Sequence, residues 1–272
     1  QGMILSFAYQ RKSKVLVPVD EVQERGEGAF FEKATGEAVK QITAKMSKSL
    51  RNVINPDDVI ADYGADTFRL YEMYMGPLDM SKPWNTRDIS GLFRFLQRTW
   101  RLAVDEKSGA LKVRDKADDK IEKQLHRCIA KVGQDIERLA FNTGIAAMIE
   151  FVNAATSAGG LSRDQLERFC RVLSPFVPHL GQELYDKLGE EGALALRDWP
   201  AHDPAMLVDD EIEIPVQVLG KVRARITVPR DSNKQALQDA AMANERIQEL
   251  IAGKTVRKVI VVPGKLVNIV AN

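Results

Sequence analysis

The apolar residues change their spacing near residue 200, and this change limits the folds that the chain can adopt. Between residues 86 and 188 they recur every three or four positions, which places them on one face of a helix. A representative run is Ile121, Leu125, Ile129, Val132, Ile136 and Leu139. After Pro200 apolar and polar residues alternate, which is typical of strands. We therefore predict a bundle of about five helices followed by a small separate ββαββ domain.

The segment before the bundle predicts a mixture of strands, turns and short helices. Residues 1–44 are rich in turns, and helical signals begin where Asn55 can cap a helix and Pro56 suits its first position. Gly64 ends that helix, and a second runs from about Asp66 to Met75. The chain as a whole is therefore expected to be an α+β protein of several domains.

The last segment predicts four strands and one helix. The strands cover residues 212–219, 222–228, 255–262 and 266–270, with Gly220 and Lys221 joining the first two. The helix begins near Ser232 and is closed by Gly253. The acidic residues Asp209, Asp210 and Glu211 mark the expected linker ahead of this domain.

Composition excludes several classes of protein. The chain has 272 residues, of which 44% are apolar and 28% charged, and this suits a folded protein of two or three domains. No apolar run approaches the roughly 18–20 residues of a membrane span. The two cysteines, Cys128 and Cys170, form no metal-binding pair, so we expect a reducing, cytoplasmic compartment. There is neither a signal peptide nor an initiator Met, which suggests a piece of a longer protein.

Charge is unevenly distributed along the chain. The net charge is +1, yet the stretch from Ile214 to the end has ten basic and four acidic residues, a net charge of +6. A local basic excess of this kind is typical of a protein that contacts phosphates in one region.

The motif with the clearest chemistry is Lys45-Met46-Ser47-Lys48-Ser49, in a polar turn ahead of the helix at Asn55. Two ammonium groups and two hydroxyls on one loop supply point charges and donors for a polyphosphate. A lone Lys-x-x-Lys is more often a solvated turn, but the complete pentapeptide is far less expected by chance.

This pentapeptide is the KMSKS signature of class I aminoacyl-tRNA synthetases, and the surrounding sequence resembles bacterial leucyl-tRNA synthetases. The similar segments are residues 1–4, 45–49 with Asn52 and Pro56, 63–69, 76–77, Trp84, 91–102, 220–229 and 255–270. The resemblance thus extends over nearly the whole chain and is weakest in residues 10–44 and 105–205.

The resemblance implies three parts. Residues 1–66 would be the end of a Rossmann-type catalytic domain, residues 67–205 a helical anticodon-binding domain, and residues 206–272 a tRNA-contacting domain. The implied reaction is ATP-dependent activation of leucine, with Mg²⁺ accompanying ATP, and transfer of leucine to leucine tRNA by a monomeric enzyme. Lys48 would bind the ATP phosphates with help from Lys45, while Ser47 and Ser49 support the loop and Met46 packs it down.

The family's His-x-Gly-His motif and editing domain, which precede KMSKS, are absent here. We therefore expect the isolated chain neither to activate leucine nor to edit tRNA, and leucine-dependent ATP–pyrophosphate exchange by the chain would contradict this. The segment from His179 to Gln182 lacks the second histidine, so His179 is read as structural or surface. Asp66 and Arg69 are assigned to an N-cap and a buried ion pair.

Two groups of basic residues are candidate RNA contacts. Arg94, Arg98 and Arg101 share one helix face, for which a solvated surface and tRNA backbone contact are equally good explanations. In the last domain, Arg223 and Arg225 alternate with an apolar face formed by Val222, Ala224 and Ile226. With Lys221, Lys254, Arg257 and Lys258 expected nearby in the sheet, RNA phosphate contact is favoured.

Two other functions remain open. The chain could be a non-catalytic RNA-binding module in which KMSKS is vestigial, or part of a class I synthetase for valine, isoleucine or methionine. The strings at residues 220–229 and 264–270 argue against another amino acid, and a His-x-Gly-His motif upstream would exclude the non-catalytic module.

Overall fold

A computed structural model describes residues 2–208 and 211–272, without the side chain of Glu211. The chain divides into two compact units, Gln1–Asp203 and Pro204–Asn272. The expected linker residues Asp209 and Asp210 lie outside the described residues. The division of the first unit into a catalytic part and a helical domain stays a prediction. No helix in the described residues has the length and apolar character needed to cross a bilayer.

The first unit opens with a sheet of six short strands. They are β1 (Ile4–Gln10), β2 (Leu16–Val17), β3 (Val22–Glu24), β4 (Phe30–Glu32), β5 (Ala38–Ala44) and β6 (Lys82–Pro83). Their order is β2-β1-β5-β4-β3, and β6 pairs with β1. The central pairing joins β1 to β5, with Phe7 opposite Thr43.

The pairing within this sheet is mostly antiparallel. Every pair in the described sheet is antiparallel except β1 with β6. Parallel pairing needs a crossover connection, whereas strands that follow one another through short turns pair antiparallel. The chain between β1 and β6 includes the helices of residues 56–63 and 65–74, and this crossover allows the two strands to run parallel. The described residues therefore form a mixed helix-and-sheet unit, and its assignment to the end of a Rossmann-type domain stays a prediction.

Seven helices of the first unit follow β5. They are α1 (Pro56–Tyr63), α2 (Ala65–Tyr74), α3 (Thr86–Ala103), α4 (Asp119–Glu137), α5 (Phe141–Ser157), α6 (Arg163–Leu173) and α7 (Pro178–Lys187). The last five match the predicted number between residues 86 and 188. Ser162 forms the predicted capping box with Gln165 at the start of α6. The helices share one apolar core whose fully buried members include Phe95, Leu125 and Phe169.

Asp66 has a different role from the one predicted. It lies inside the first turn of α2, and its carboxylate accepts hydrogen bonds from the Leu180 amide at 2.8 Å and from His179 Nδ1 at 2.8 Å. It therefore caps α7, 113 residues later in the chain. Arg69 does not pair with it; the Arg69 guanidinium donates to the Pro175 carbonyl at 3.2 Å. His179 is structural, as predicted, and its side chain is 75% exposed.

The described residues of the second unit include a four-stranded sheet and two α-helices. Its elements are β7 (Glu211–Val218), β8 (Lys221–Pro229), α8 (Lys234–Ala243), α9 (Glu245–Ile251), β9 (Val256–Val262) and β10 (Leu266–Ala271), with strand order β8-β7-β10-β9. The single helix predicted here is wrong. Asn244 has an extended ψ of 122° that ends α8, and its side chain accepts a hydrogen bond from the Ile247 amide that caps α9.

Candidate phosphate-binding loop and nucleic-acid interface

The KMSKS residues lie on a loop between a strand and a capped helix. Strand β5 ends at Ala44, and α1 begins at Pro56. The Asn55 side chain accepts a hydrogen bond from the Asp57 amide at 3.2 Å, which is the predicted cap. The loop is therefore held at both ends by regular structure, and the motif lies nearer to the strand.

A buried asparagine anchors the loop from inside. Asn52 is 4% exposed, and its Oδ1 accepts a hydrogen bond from the Ser47 amide at 2.9 Å. Its Nδ2 donates to the carbonyls of Phe7 at 3.2 Å and Lys45 at 3.4 Å. One side chain thus joins the motif to β1. From the sequence, Asn52 was noted only as a part of the segments that resemble the synthetase family. The one sequence feature that could have indicated its anchoring role is a lone amide side chain within a loop that has few other anchors.

The two serine hydroxyls bond within the loop. Ser47 Oγ lies 3.2 Å from Ser49 Oγ and accepts a hydrogen bond from the Leu50 amide at 3.3 Å. Met46 is partly buried and packs against the core of the first unit. All three side chains thus make contacts within the protein, and their roles in supporting the loop during catalysis stay predictions.

The second half of the loop is tied to the segment after β2. The Val19 amide donates to the Leu50 carbonyl at 3.0 Å, and the Arg51 guanidinium forms an ion pair with Asp20. Arg51 has a φ of 49°, a left-handed conformation that costs energy for a residue with a side chain. The positive charge of Arg51 is therefore balanced by Asp20 within the protein.

The side chains of the two motif lysines are turned to solvent. Lys45 and Lys48 are exposed, and within the described part of the chain neither side chain has a hydrogen bond or an ion pair. Their positive charges are therefore available to an anion from solution. The loop combines a fixed backbone with two uncommitted cations, an arrangement that suits the binding of phosphate oxygens.

The α3 arginines do not form one uniform face. Arg94 and Arg101 are exposed, whereas Arg98 is half-buried. Arg98 Nε is buried and has no hydrogen-bond partner among the described residues. Arg98 and Arg101 line a cavity together with Lys112 and Arg114, two cations that sequence reasoning did not single out.

The basic residues of the second unit are not close together in the sheet, contrary to the prediction. Lys221, Arg223 and Arg225 lie on β8, and Arg257 and Lys258 lie on β9, with Lys254 in the turn before it. These strands form opposite edges, separated by β7 and β10. At about 4.8 Å per strand, the edges are roughly 14 Å apart.

Two details of the β8 edge also differ from the prediction. Arg225 forms an ion pair with Glu213 at 3.0 Å, so part of its charge is neutralised. Val222 was expected in the core but is 53% exposed. The register of β7 and β8 shifts between Val216 and Gln217, and this bulge moves the residues beyond it out of the predicted alternation.

Two family models match the chain. Residues 118–238 match the anticodon-binding domain of tRNA ligase, and residues 35–80 match tRNA synthetases class I (I, L, M and V). The second match includes the whole KMSKS loop.

Curated relatives match the chain end to end. The leucine–tRNA ligase of Nocardia farcinica is 48% identical over 276 residues, covering 100% of this chain and 29% of that protein. The enzymes of Corynebacterium glutamicum (99% and 28% covered) and Rhodococcus jostii (99% and 29%) are each 46% identical. The chain thus spans less than a third of the length of these relatives.

A solved structure matches the fold. The leucyl-tRNA synthetase of Agrobacterium radiobacter K84, in a ternary complex with tRNA and LeuAMS, matches with a TM-score of 0.65 and 26% identity. The match covers 84% of this chain and 32% of that one. Over its whole length the chain is therefore homologous to leucine–tRNA ligases, class I tRNA synthetases of which it spans a part.

Proposed function

We propose that the chain is the C-terminal part of a leucine–tRNA ligase, which activates leucine with ATP and transfers it to leucine tRNA in the cytoplasm. The observation that supports this most strongly is the KMSKS loop, in which Lys45 and Lys48 are exposed and uncommitted. The end-to-end similarity to leucine–tRNA ligases supports leucine as the amino acid.

The loop acts on the phosphates of ATP. When the leucine carboxylate attacks the α-phosphate, negative charge develops on the departing pyrophosphate. Preorganised cations at that position stabilise the transition state. Lys48 is the principal phosphate ligand and Lys45 assists, while Ser47 and Ser49 hold the loop in shape. Asn52 is a positioning residue, because its amide fixes the backbone that carries both lysines.

Mg²⁺ accompanies the ATP phosphates in this proposal, since it prefers phosphate oxygens and water as ligands. No group of three His, Cys, Asp or Glu side chains in the described residues is placed to hold a metal ion. Asp20, a carboxylate that contacts the second half of the loop, is paired with Arg51.

The two parts of the chain that follow the catalytic segment bind tRNA. Residues 1–66 would end the catalytic domain, residues 67–205 would form the anticodon-binding domain, and residues 206–272 would contact the tRNA elsewhere. The match of residues 118–238 to an anticodon-binding domain supports this, as does the tRNA in the similar solved complex. The proposed contacts are Arg94, Arg98, Arg101, Lys221, Arg223, Arg225, Lys254, Arg257 and Lys258.

Amino-acid-dependent exchange of pyrophosphate into ATP by the full-length protein tests this function. We expect leucine to support exchange at least about 100-fold better than valine, and better than isoleucine or methionine. Exchange that prefers another of these amino acids would contradict leucine specificity. No exchange with any of them, together with tight tRNA binding, would favour the non-catalytic RNA-binding module.

A further inference from the structure

A cleft with four cations lies in the first unit, outside the KMSKS loop. Its volume is about 540 Å³, within the range of small-molecule sites. Arg98 and Arg101 come from the end of α3, and Lys112 and Arg114 from the segment that follows it. The residue pair Gly159–Gly160, just after α5, also lines the cleft.

The charges of this cleft are incompletely neutralised. None of the residues that line it is acidic. Arg114 donates to the Ala158 carbonyl at 3.0 Å and lies 3.7 Å from Asp118. Hydrogen bonds from Ser108 are the main reason that the pKa of the Asp105 carboxyl is lowered, and Lys112 adds a smaller electrostatic contribution. The remaining two cations have no hydrogen bond or ion pair with any residue that the structure describes.

Arg98 gives a second indication of a binding site. Its Nε is buried without a hydrogen-bond partner in the described residues. Buried polar groups in folded proteins nearly always have a partner, because an unsatisfied group loses its hydrogen bonds to water and gains none in return. Because the Arg98 side chain lines the cleft, an anion there would supply an acceptor for its guanidinium group.

The backbone around the cleft is already fixed. The Lys112 amide donates to the Ala103 carbonyl at 2.7 Å, and the Arg114 amide donates to the Leu161 carbonyl at 2.8 Å. Gly159 and Gly160 have φ values of 84° and 124°, which favour glycine and allow the tight turn after α5. A site held in this way loses little conformational entropy when a ligand binds.

We propose that this cleft binds a phosphate group, supplied by an RNA backbone or by a phosphorylated small molecule. Guanidinium groups match phosphate oxygens with paired hydrogen bonds, and a lysine adds a point charge. The inference rests in part on the proposed function, because Arg98 and Arg101 belong to the proposed tRNA contacts. The cleft itself, with Lys112 and Arg114, goes beyond that set.

The test uses the isotope-labelled 272-residue chain and local NMR signals. Inorganic phosphate should shift the amide signals of Gly159 and Gly160 and the Nε–H signal of Arg98. The variants Arg101→Gln and Lys112→Gln should each weaken phosphate binding about tenfold or more, since each removes one charge-assisted hydrogen bond. Both positions are exposed, so the fold should be retained.

The matched control is Arg138→Gln, which removes an exposed cation at the C-terminal end of α4 and should leave phosphate binding unchanged.

A leucine tRNA transcript then distinguishes the two sources of the phosphate group. If tRNA displaces phosphate, or shifts these signals where phosphate alone does not, the ligand is RNA backbone. If phosphate binds and tRNA does not compete, the ligand is a small phosphorylated molecule.

Two results would overturn the proposal: no shift at these three signals with either probe, or shifts that Arg101→Gln and Lys112→Gln leave unchanged. Neither result depends on leucine activation. If the protein fails the pyrophosphate exchange assay but binds phosphate here, the ligase assignment is contradicted and the proposal of a phosphate-binding cleft stands.

Discussion

The KMSKS loop and the sheet of the second unit both contain exposed cations, but they differ in how the fold distributes them. In the loop, two lysines three residues apart remain neighbours because one buried amide, Asn52, fixes the backbone between them. In the sheet, the strand order separates β8 from β9, so cations expected together lie at opposite edges. Residues that are close in sequence stay close in space within this loop. Residues on different strands of the sheet are instead separated by the strands that lie between them.

The two regions also differ in how far their charges are neutralised. Lys45 and Lys48 have no partner in the described residues, whereas Arg225 is paired with Glu213. A concentrated, unneutralised pair of charges suits a compact polyphosphate. Charges spread along two edges suit a long backbone with regularly spaced phosphates.

The largest expected effect comes from removing a loop lysine. In the full-length protein, Lys48→Ala should lower leucine-dependent pyrophosphate exchange about 10²–10³-fold, as loss of one transition-state donor does. The matched control is Lys40→Ala, an exposed lysine on β5 close to the loop, which should keep the wild-type rate. Equal losses in both variants would mean that general charge matters and the loop position does not.

Removing the anchor should have the next largest effect. Asn52→Ala leaves the Ser47 amide and two carbonyls without this partner, at a cost of about 1–3 kcal/mol. We expect roughly a tenfold to hundredfold loss in the exchange rate with a folded protein by circular dichroism. Asn153→Ala, at an exposed position on α5, is the control and should change neither quantity.

The contributions of the two sheet edges to tRNA binding can be distinguished by charge reversal in the full-length protein. Each phosphate contact contributes roughly 0.7–0.9 to the slope of log affinity against log salt. Reversing Arg257 and Lys258 to Glu should lower the slope for leucine tRNA more than reversing Arg223 and Arg225, because Glu213 already neutralises Arg225. Equal changes would show that this ion pair opens on binding. Unchanged affinity and slope for both pairs would remove the sheet from the RNA interface.

The smallest effect concerns stability and not binding. Asp66→Ala removes the cap of α7 and should lower the free energy of unfolding by about 0.5–2 kcal/mol, measured by urea denaturation. Asp62→Ala, an exposed carboxylate at the end of α1, is the control and should stay within about 0.5 kcal/mol of wild type. A similar loss in both variants would show that the Asp66 cap adds nothing.

Local features of the fold could be predicted from the sequence. The caps at Asn55 and Ser162 depend on a few adjacent residues, and the five helices depend on a regular apolar period. The family could be recognised because the KMSKS residues are contiguous. Such features need no knowledge of distant contacts.

The rest depends on contacts between distant residues. The hydrogen bonds of Asp66 reach residues more than a hundred positions away, and Asn52 reaches back to Phe7. The order of strands in a sheet and a bulge in one strand pair arise from packing and not from one segment's pattern. For the same reason Lys112 and Arg114, which join Arg98 only in three dimensions, had no signal in the sequence.

The central claim is that Asn52 acts by holding Lys48 in position, and a double-mutant cycle in pyrophosphate exchange tests it most directly. If the claim holds, Asn52→Ala costs tenfold or more in the wild-type background and less than about threefold when Lys48 is already Ala. If Asn52→Ala costs the same factor in both backgrounds, the two residues act independently and the account of the loop is wrong.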